Sequence, residues 1–562
     1  VMRDAVRDNP GCDGIVLGGH GLFTWGNTQR ECYLNTLTAI DQIGQFIARH
    51  AKTTVRFGGQ AVAAREDRKD LAVQIAPYLR GRVSAADRAP DDPPAARTQE
   101  TRWILNYSDA EDVLQFVNSA QGRDLAFLGT SCPDHFIRTK IRPLFVPWAP
   151  STGIDALKTQ IDTSLAEYRR QYRDYYHQFA TPDSPPLRGT NPTIVLIPGL
   201  GMFSFGKNKT EARITGEFYT NAIHVMEGAS LLTEGEVTGT LPQCGPGQDP
   251  ASFKVFTNYV ALPPNEAFRI EYWQMEEAKL RRQPPEKELS RRIALIVGGA
   301  SGIGREAALL AAARGAHVMI ADRDQTAAAA VAAELAALGS KEFAAATTVD
   351  IRSRDAIAAA VRATAAAFGG IDILINTAAL FPSSPDGVIS DAQWASALEI
   401  NVTANYLLAS ESAKLFDDQA LDSSIVLTSS ANAVVAKRGS EAYDVSKAAL
   451  SHLVRELAVS LAPRVRVNAV SPATVVKGST MFPRDRVRAS LGKYGIPFDE
   501  SMSDDDLRNL LAGFYAKRTL THQPIDPADC AEALLFLAGP RTRCTTGHII
   551  PVDGGLTEAF LR

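Results

Sequence analysis

The sequence predicts an α/β chain whose C-terminal part, residues 291–562, is a doubly wound parallel sheet. Three observations predict it. From Ile293 on, apolar runs of strand length alternate with helical stretches of about 10–15 residues, the pattern of stacked βαβ units covered on both faces. The first apolar run ends in a turn with glycines at 298, 302 and 304. The second ends in a carboxylate, Asp322, one helix and one strand beyond Gly304.

Taken in order, "IALIVGG" is the first strand and "GREAALLAAARG" its helix. Then come the strand "HVMIAD", the helix "TAAAAVAAELAALG", the strand "FAAATTVD", a further helix and the strand "DILINTAA". The alanine-rich helices suit this layout, because alanine is the best helix former and lets a helix sit close to a sheet. In the turn Gly298-Gly299-Ala300-Ser301-Gly302-Ile303-Gly304 each glycine has a task. These are a tight turn, close backbone approach to a pyrophosphate, and close helix–strand packing. The amides at the start of the next helix point at phosphate oxygens. Three glycines in a loop are a weak signal, but the strand before and helix after supply the context.

A carboxylate at Asp322 accepts hydrogen bonds from ribose hydroxyls and repels a 2′-phosphate, which favours NAD over NADP. Arg323 beside it works the other way, since it can pair a 2′-phosphate. Asp350, followed by Ile351, ends the third strand where an adenine edge is expected. Helix capping is the alternative reading of both aspartates.

Tyr443-Asp444-Val445-Ser446-Lys447 places a phenol and an ammonium at i and i+4, on one helix face. A nearby cation favours phenolate, so Tyr443 is expected to exchange a proton nearer neutral pH. Ser430 precedes this helix, just after the strand "SIVLTSS", where its hydroxyl can hold a substrate oxygen. Asn401, in "LEINVTANY", can anchor a water linking Lys447 to solvent. Alone, the Tyr–Lys pair reads equally as a half-buried tyrosine beside a solvated lysine. The glycine turn far upstream at 298–304 and the offset of Ser430 from Tyr443 favour chemistry.

The remaining chain is organised differently. Its 562 residues imply several domains, and 45% hydrophobic with 22% charged content reads as globular. A net charge of −4 gives no reason to expect nucleic acid or an anionic membrane as partner. The apolar runs are too short to suggest a transmembrane helix. Six scattered cysteines without a CxxC pair fit a reducing cytoplasm. No secretory leader is evident, and the stretch "GIVLGGHGLFTWG", read as a buried strand-turn-strand, makes the chain look as if it begins inside a domain. Expected units are 1–87, 98–285 and 291–562, with Pro-rich linkers at 88–97 and 181–189. The first unit carries a helix, "TQRECYLNTLTAIDQIGQFIARH". The second carries strands "LAFLG" and "TIVLIPG" and a helix "NEAFRIEYWQMEEAKLRRQ".

The stretches "VGGASGIG", "INTAA", "LEIN", "YDVSK", "VRVNAVSPATV" and "GHIIPVDGG" resemble the short-chain dehydrogenase/reductase family across 291–562. The resemblance implies a Rossmann fold, a nicotinamide cofactor, and Asn401, Ser430, Tyr443 and Lys447 as the catalytic group. It also implies a nicotinamide pocket near Asn376, Pro472 and Val475. Three positions depart from the family pattern. Val297 replaces a threonine whose hydroxyl ties strand to turn, Asn376-Thr377-Ala378-Ala379 replaces Asn-Asn-Ala-Gly, and Ala473 follows Pro472 where glycine is common.

Near the start, "LGGHGLFTWG" resembles the class II (zinc) sugar-phosphate aldolases, in which such a turn gives a zinc-binding histidine, here His20. Neutral imidazole suits Zn²⁺, which polarises a carbonyl. Those enzymes also use an HxH pair and a glutamate; none of the nine histidines here forms an HxH, so the zinc site is expected to be incomplete within these residues. Together with "CPDHFIRTKIRPLFV", "IVLIPGLGMFSFGKNKTEAR" and "PVDGGLTEAF", the order of parts resembles the bifunctional rhamnulose-1-phosphate aldolase/short-chain dehydrogenase family. That implies NAD-dependent oxidation of L-lactaldehyde to lactate, beside an aldolase region cut short at its start. It also implies a homo-oligomer acting on a small-molecule substrate. A sugar or polyol dehydrogenase with an N-terminal scaffold is the alternative.

Two further motifs need weighing. Gly201 to Asn208 nearly spells a P-loop but lacks the Mg²⁺-binding hydroxyl, so a glycine-rich turn after a strand is expected instead. His135, with Arg138, Lys140 and Arg142, reads either as a phosphate site or as a solvated basic loop.

Overall fold

The computed structural model describes residues 1–17, 21–84, 101–132, 135–233, 259, 261–338, 341–382, 387–479 and 481–560. Strands β1 (Gly14–Leu17) and β2 (Gly21–Thr24) form an antiparallel hairpin beside the helix Gln29–His50. The hairpin is not buried as the sequence suggested. Val16 is 65% and Phe23 41% exposed, one on each face of the pair, so among the described residues neither face is closed.

A four-stranded sheet follows, with β3 (Ile104–Ser108), β4 (Leu144–Phe145), β5 (Ile194–Ile197) and β6 (Gly201–Gly206) in the order β3-β6-β5-β4. Within it β4 and β5 run parallel, and the other pairs are antiparallel. Side chains of β5 alternate between two cores. Val195 and Ile197 meet Leu157, Ile161 and Leu165 of the helix Gly153–Phe179, while Ile194 and Leu196 meet Tyr219 and Ile223 of Lys209–Leu232. A strand apolar at every position is therefore covered on both faces.

The near-P-loop is this sheet's fully buried strand β6, and Asn208 caps the next helix by accepting from Glu211 N at 2.8 Å. "LAFLG" lies in a helix, Gly122–Leu128, rather than a strand. So short an apolar run carries no decisive period, and here Leu125 and Ala126 share the buried face. The long helix expected at 265–283 is two, Pro264–Glu271 and Gln274–Arg281.

The C-terminal sheet has seven parallel strands in the order β13-β12-β11-β10-β7-β8-β9. They are β7 (Ile293–Val297), β8 (His317–Asp322), β9 (Ala344–Thr348), β10 (Ile373–Asn376), β11 (Ser423–Thr428), β12 (Val465–Pro472) and β13 (Ile549–Val552). Ile293, Leu295 and Val297 of β7 enter one core and Ala294 and Ile296 the other, and all five are at most 1% exposed. The chain order reverses between β7 and β10, which opens a crevice at the strands' C-terminal ends.

The two sheets are joined at the opposite, N-terminal ends of these strands. Asp372, just before β10, is fully buried and receives Arg80 through Nη1 at 3.1 Å and Nη2 at 2.7 Å; Arg102 also donates to it. The same carboxylate accepts from Ile293 N at 2.8 Å. Burial pushes its pKa up, but the Arg80 and Arg102 guanidiniums outweigh this and hold it well below the carboxylate range. Close approach is required here: a Cβ on Gly81 would lie 1.8 Å from the Gln419 carbonyl oxygen, and one on Gly369 2.4 Å from Leu105 Cβ. His317, at the start of β8, accepts from Lys209 N at 3.0 Å and so caps a helix of the other unit. Burial lowers its pKa to about 3, keeping the imidazole a neutral acceptor.

Candidate active site

The crevice is built from the glycine turn outward. Gly298 (φ +75°) and Gly302 (φ +51°) have backbone conformations that side chains disfavour. A Cβ on Gly304 would lie 2.1 Å from the Gly298 carbonyl oxygen, so the turn closes on the helix Gly302–Ala313 only with glycine there. Ser301 stands at that helix's N-cap, and Ile303 packs into the core beneath. Asp322 accepts from Ala300 N at 3.2 Å through one oxygen and from Asp324 N at 3.1 Å through the other, which sets its carboxylate at the rim of the turn. A cradle that any Cβ would fill, a helix N-terminus and a carboxylate at the rim fit the pyrophosphate and ribose of a dinucleotide.

The loss of a hydroxyl at Val297 is compensated. Thr377 Oγ1 donates within reach of the Val297 carbonyl at 3.2 Å and the Gly298 carbonyl at 3.1 Å, tying strand to turn from the neighbouring strand's end. The two departures from the family pattern thus answer each other, a relation invisible in sequence because each looks like an isolated loss.

Asp350 lies just beyond the end of β9, and its carboxylate is engaged by Arg352 through Nε at 3.0 Å and Nη2 at 2.6 Å. Ile351 beside it is buried, whereas Arg323 is exposed. Asn376 ends β10 with 2% exposure and donates to Asn405 Oδ1 at 2.8 Å, so its amide holds the sheet edge. Pro472 ends β12 and pairs with Val552, while Val475 stands half-buried in the following segment. Between that segment and the helix Asp504–Ala516 is an open cleft lined by Val435, Lys437, Thr474, Tyr515 and Arg518.

Tyr443, Ser430, Lys447 and Asn401 converge beside β11. Tyr443 and Lys447 share a face of the helix Glu441–Leu461, with Lys447 Nζ 5.6 Å from the Tyr443 ring centre. Lys447 is 2% exposed and donates to the Thr428 carbonyl at 2.7 Å. The Ser430 hydroxyl accepts from Asn432 N at 3.2 Å and acts on the Tyr443 phenol by lowering its pKa. Asn401 sits in a π-turn, Glu399–Thr403. Its amide donates to the Leu380 carbonyl at 2.8 Å and to Ser446 Oγ at 2.9 Å, and its Oδ1 accepts from Leu380 N at 2.8 Å. It therefore braces the segment after β10 against the Tyr443 helix.

The electrostatics differ from the sequence expectation that Lys447 lowers the Tyr443 pKa. Burial pushes the Tyr443 phenol up to about 12, while the neighbouring Ser430 hydroxyl and Arg486 pull against it. Burial also pushes Lys447 down to about 7. A half-neutralised ammonium exerts little pull, so desolvation governs both groups. What the arrangement can do is hold one oxygen between a serine hydroxyl and a phenol, next to a lysine able to carry or release a proton near neutral pH.

His20 lies outside the described residues. Among the described residues no group of three or more His, Cys, Asp or Glu side chains is placed to hold a metal. His135 is 8% exposed, pairs with Thr130 Oγ1 at 3.1 Å and meets the Phe218 ring edge-on. Arg138 also lies over Phe218, whereas Lys140 lies over Tyr172, so the basic stretch packs on aromatic rings instead of converging on one point. Sequence reasoning missed Arg486, whose guanidinium lies 4.5 Å from the ring centre of Phe381, itself 4.5 Å from the Tyr443 ring.

A seven-stranded parallel sheet, a glycine cradle and a Ser–Tyr–Lys group at its C-terminal ends define an oxidoreductase of the short-chain dehydrogenase/reductase type. Family models agree, matching "Enoyl-(Acyl carrier protein) reductase" at residues 298–557 and "Aldolase class II, second domain" at 70–280. The chain belongs to the family of two-part oxidoreductases that includes the "Uncharacterized oxidoreductase YuxG" of Bacillus subtilis (strain 168). It is 34% identical to that protein over 570 residues, spanning 100% of this chain and 75% of the Bacillus protein. Its C-terminal part alone is 31% identical to "Uncharacterized oxidoreductase MT0954" of Mycobacterium tuberculosis (strain CDC 1551 / Oshkosh), over 48% of this chain and 93% of that protein. The same part is 29% identical to "Glucose 1-dehydrogenase" of Gluconobacter oxydans (strain 621H), over 47% of this chain and 91% of that one.

Proposed function

We propose that the chain is an NAD-dependent dehydrogenase of a small hydroxy-aldehyde, with L-lactaldehyde as substrate and lactate as product. The observation that carries the hydride-transfer reading is the Tyr443 phenol one helical turn from the buried Lys447, whose Nζ lies 5.6 Å from its ring centre. The choice of NAD rests on Asp322, whose carboxylate at the cradle rim repels a 2′-phosphate. The choice of substrate rests on the aldolase-type region in front, since an aldolase acting on a deoxyketose phosphate releases such an aldehyde.

The aldehyde reacts as its hydrate, because the carbon that loses hydride must carry a hydroxyl. Ser430 holds that hydroxyl oxygen, and Tyr443 takes its proton as it gives its own to Lys447. Lys447, positioned to reach ribose hydroxyls, passes the proton onward. Gly298, Ser301, Gly302, Ile303 and Gly304 hold the pyrophosphate, and Asp322 the ribose. Asp350, Ile351 and Arg323 border the adenine side, and Asn376, Pro472 and Val475 wall the nicotinamide. The bound nicotinamide supplies the hydride acceptor. Aldehyde hydrate and NAD⁺ together give the carboxylic acid, NADH and a proton.

In this reading 291–562 is the dehydrogenase domain, 98–285 an aldolase-associated domain and 1–87 an aldolase-like piece in which His20 is a candidate zinc ligand. The assembly is a cytoplasmic homo-oligomer; no described helix is long and apolar enough to cross a membrane. NADH formation from L-lactaldehyde, compared with NADPH formation from NADP⁺, is the test. No absorbance change in either direction would sink the assignment, and equal use of both cofactors would overturn the role of Asp322.

A further inference from the structure

The helix Arg484–Lys493 carries arginines at 484, 486 and 488. The outer two are neutralised: Arg484 Nη1 meets Asp504 at 2.6 Å, and Arg488 meets Glu500. Residues two apart on a helix point to nearly opposite sides, so Arg486 leaves the flank that carries the other two arginines. One of its N–H groups donates to the Met481 carbonyl at 3.1 Å, and its guanidinium spreads over Phe381, 4.5 Å from the ring centre, and Phe482, 5.7 Å away. Phe381 packs on the Tyr443 ring, which places the cation two ring contacts from the reacting phenol.

Among the described residues the ionisable groups facing Arg486 are two phenols, Tyr443 and Tyr515. Burial keeps both phenols uncharged at neutral pH, and among the described residues Arg486, unlike Arg484 and Arg488, makes no ion pair. Tyr515 also lines the cleft beside Thr474, so Arg486 acts on a residue of that cleft as well as on the phenol. A guanidinium has five donors in a rigid fork, and one is accounted for within the chain. A half-buried guanidinium without a paired carboxylate keeps donors available to an anionic ligand.

We propose that Arg486 is a specificity-determining residue that binds the carboxylate of a small hydroxy acid in the substrate cleft. The proposal rests on the dehydrogenase reading above, in which the reaction ends on such an acid. A planar fork matches a carboxylate through two parallel N–H···O bonds, which an alcohol or aldehyde cannot offer. The acid end of the reaction is then held by charge, and the uncharged end by shape alone.

The test uses the full chain saturated with NADH, so that no hydride can leave the ligand. Binding of L-lactate, glycerol 3-phosphate and propane-1,2-diol is titrated for the wild type, Arg486→Met and Arg486→Lys. We expect lactate to bind, Arg486→Met to weaken it at least about tenfold, roughly 1.4 kcal/mol, and Arg486→Lys to weaken it less. Diol binding should change less than about twofold, because methionine keeps the packing on Phe381. Three results would overturn the proposal: no lactate binding to the wild type, equal lactate affinity in Arg486→Met, or a diol loss as large as the lactate loss. Tighter binding of glycerol 3-phosphate than of lactate would overturn the carboxylate assignment. Because these are binding measurements, they stand whether or not lactaldehyde is oxidised.

Discussion

The two ends of the seven-stranded sheet treat buried charge in opposite ways. At the N-terminal ends, Asp372 is enclosed by Arg80 and Arg102 and every partner is supplied by the chain. At the C-terminal ends, Lys447 is as buried but meets one carbonyl, and Arg486 faces no carboxylate among the described residues. A closed network fastens two units together; an open one keeps its polar groups for a ligand. The same sheet thus carries a joint on one edge and chemistry on the other, and the degree of internal satisfaction tells them apart.

The sharpest way to break this comparison is Tyr443→Phe. Removing the proton-carrying oxygen should lower kcat by about 10³-fold or more, in the upper range for loss of an acid–base group. NADH binding and the thermal midpoint should hardly move. A variant with near-wild-type turnover would place the chemistry elsewhere.

Asp372→Ala is the matching change at the joint. It leaves Arg80 and Arg102 buried without a counter-charge, which costs about 3–5 kcal/mol. Urea unfolding should show a large fall in midpoint, with activity lost only as the fold is lost. A midpoint unchanged by Asp372→Ala would mean that the two units are held by their other contacts, such as the apolar cluster around Ile104 and the Lys209–His317 bond.

Lys447→Met sharpens the contrast from the other side, because an active-site charge should be a burden to the fold. The folded pKa of Lys447 is about 7, below its ordinary 10.5. Between those values the unfolded chain binds more protons, so wild-type stability rises as pH rises through this window. The penalty is complete below pH 7 and gone above about 10.5. Lys447→Met should therefore be inactive yet melt higher than wild type, most clearly near pH 6, with the gap closing toward pH 10. A lower midpoint at pH 6 would show that the ammonium is stabilised in place.

The smallest effect is expected at Thr377→Val, which deletes the hydroxyl tying Val297 and Gly298 to the next strand. A loss of about 1 kcal/mol in stability and a modest rise in KM for the dinucleotide should follow. Restoring a hydroxyl through Val297→Thr in that background should recover part of the loss; no recovery would sink the compensation.

The C-terminal sheet was legible because its strands are apolar at consecutive positions and its glycine turn has only one sensible use. Ser430, Tyr443 and Lys447 were legible because they lie within one strand–helix unit, where spacing alone brings them together. Their pKa order was not, since desolvation depends on what packs above them and spacing does not report it. The joint was hidden for a different reason. Arg80 and Asp372 are 292 positions apart, and neither stands in a motif. "LAFLG" misled because so short an apolar run fits a strand as well as a helix, and the choice fell to tertiary burial of Leu125. Arg486 sat in a charged stretch whose two outer arginines are ordinary surface pairs, and only the packing of the middle one on Phe381 distinguishes it.

The placement of the joint has a consequence for how such a chain can diversify. The cleft is walled by segments that follow the strands, while the joint is made by residues that precede them, so substitutions at one edge leave the other's contacts untouched and their effects should add. The fused unit can therefore acquire a new substrate by exchanging residues near Thr474 or Tyr515 without loosening its partner. The partner can drift in turn, so long as two arginines still meet one aspartate beneath the sheet.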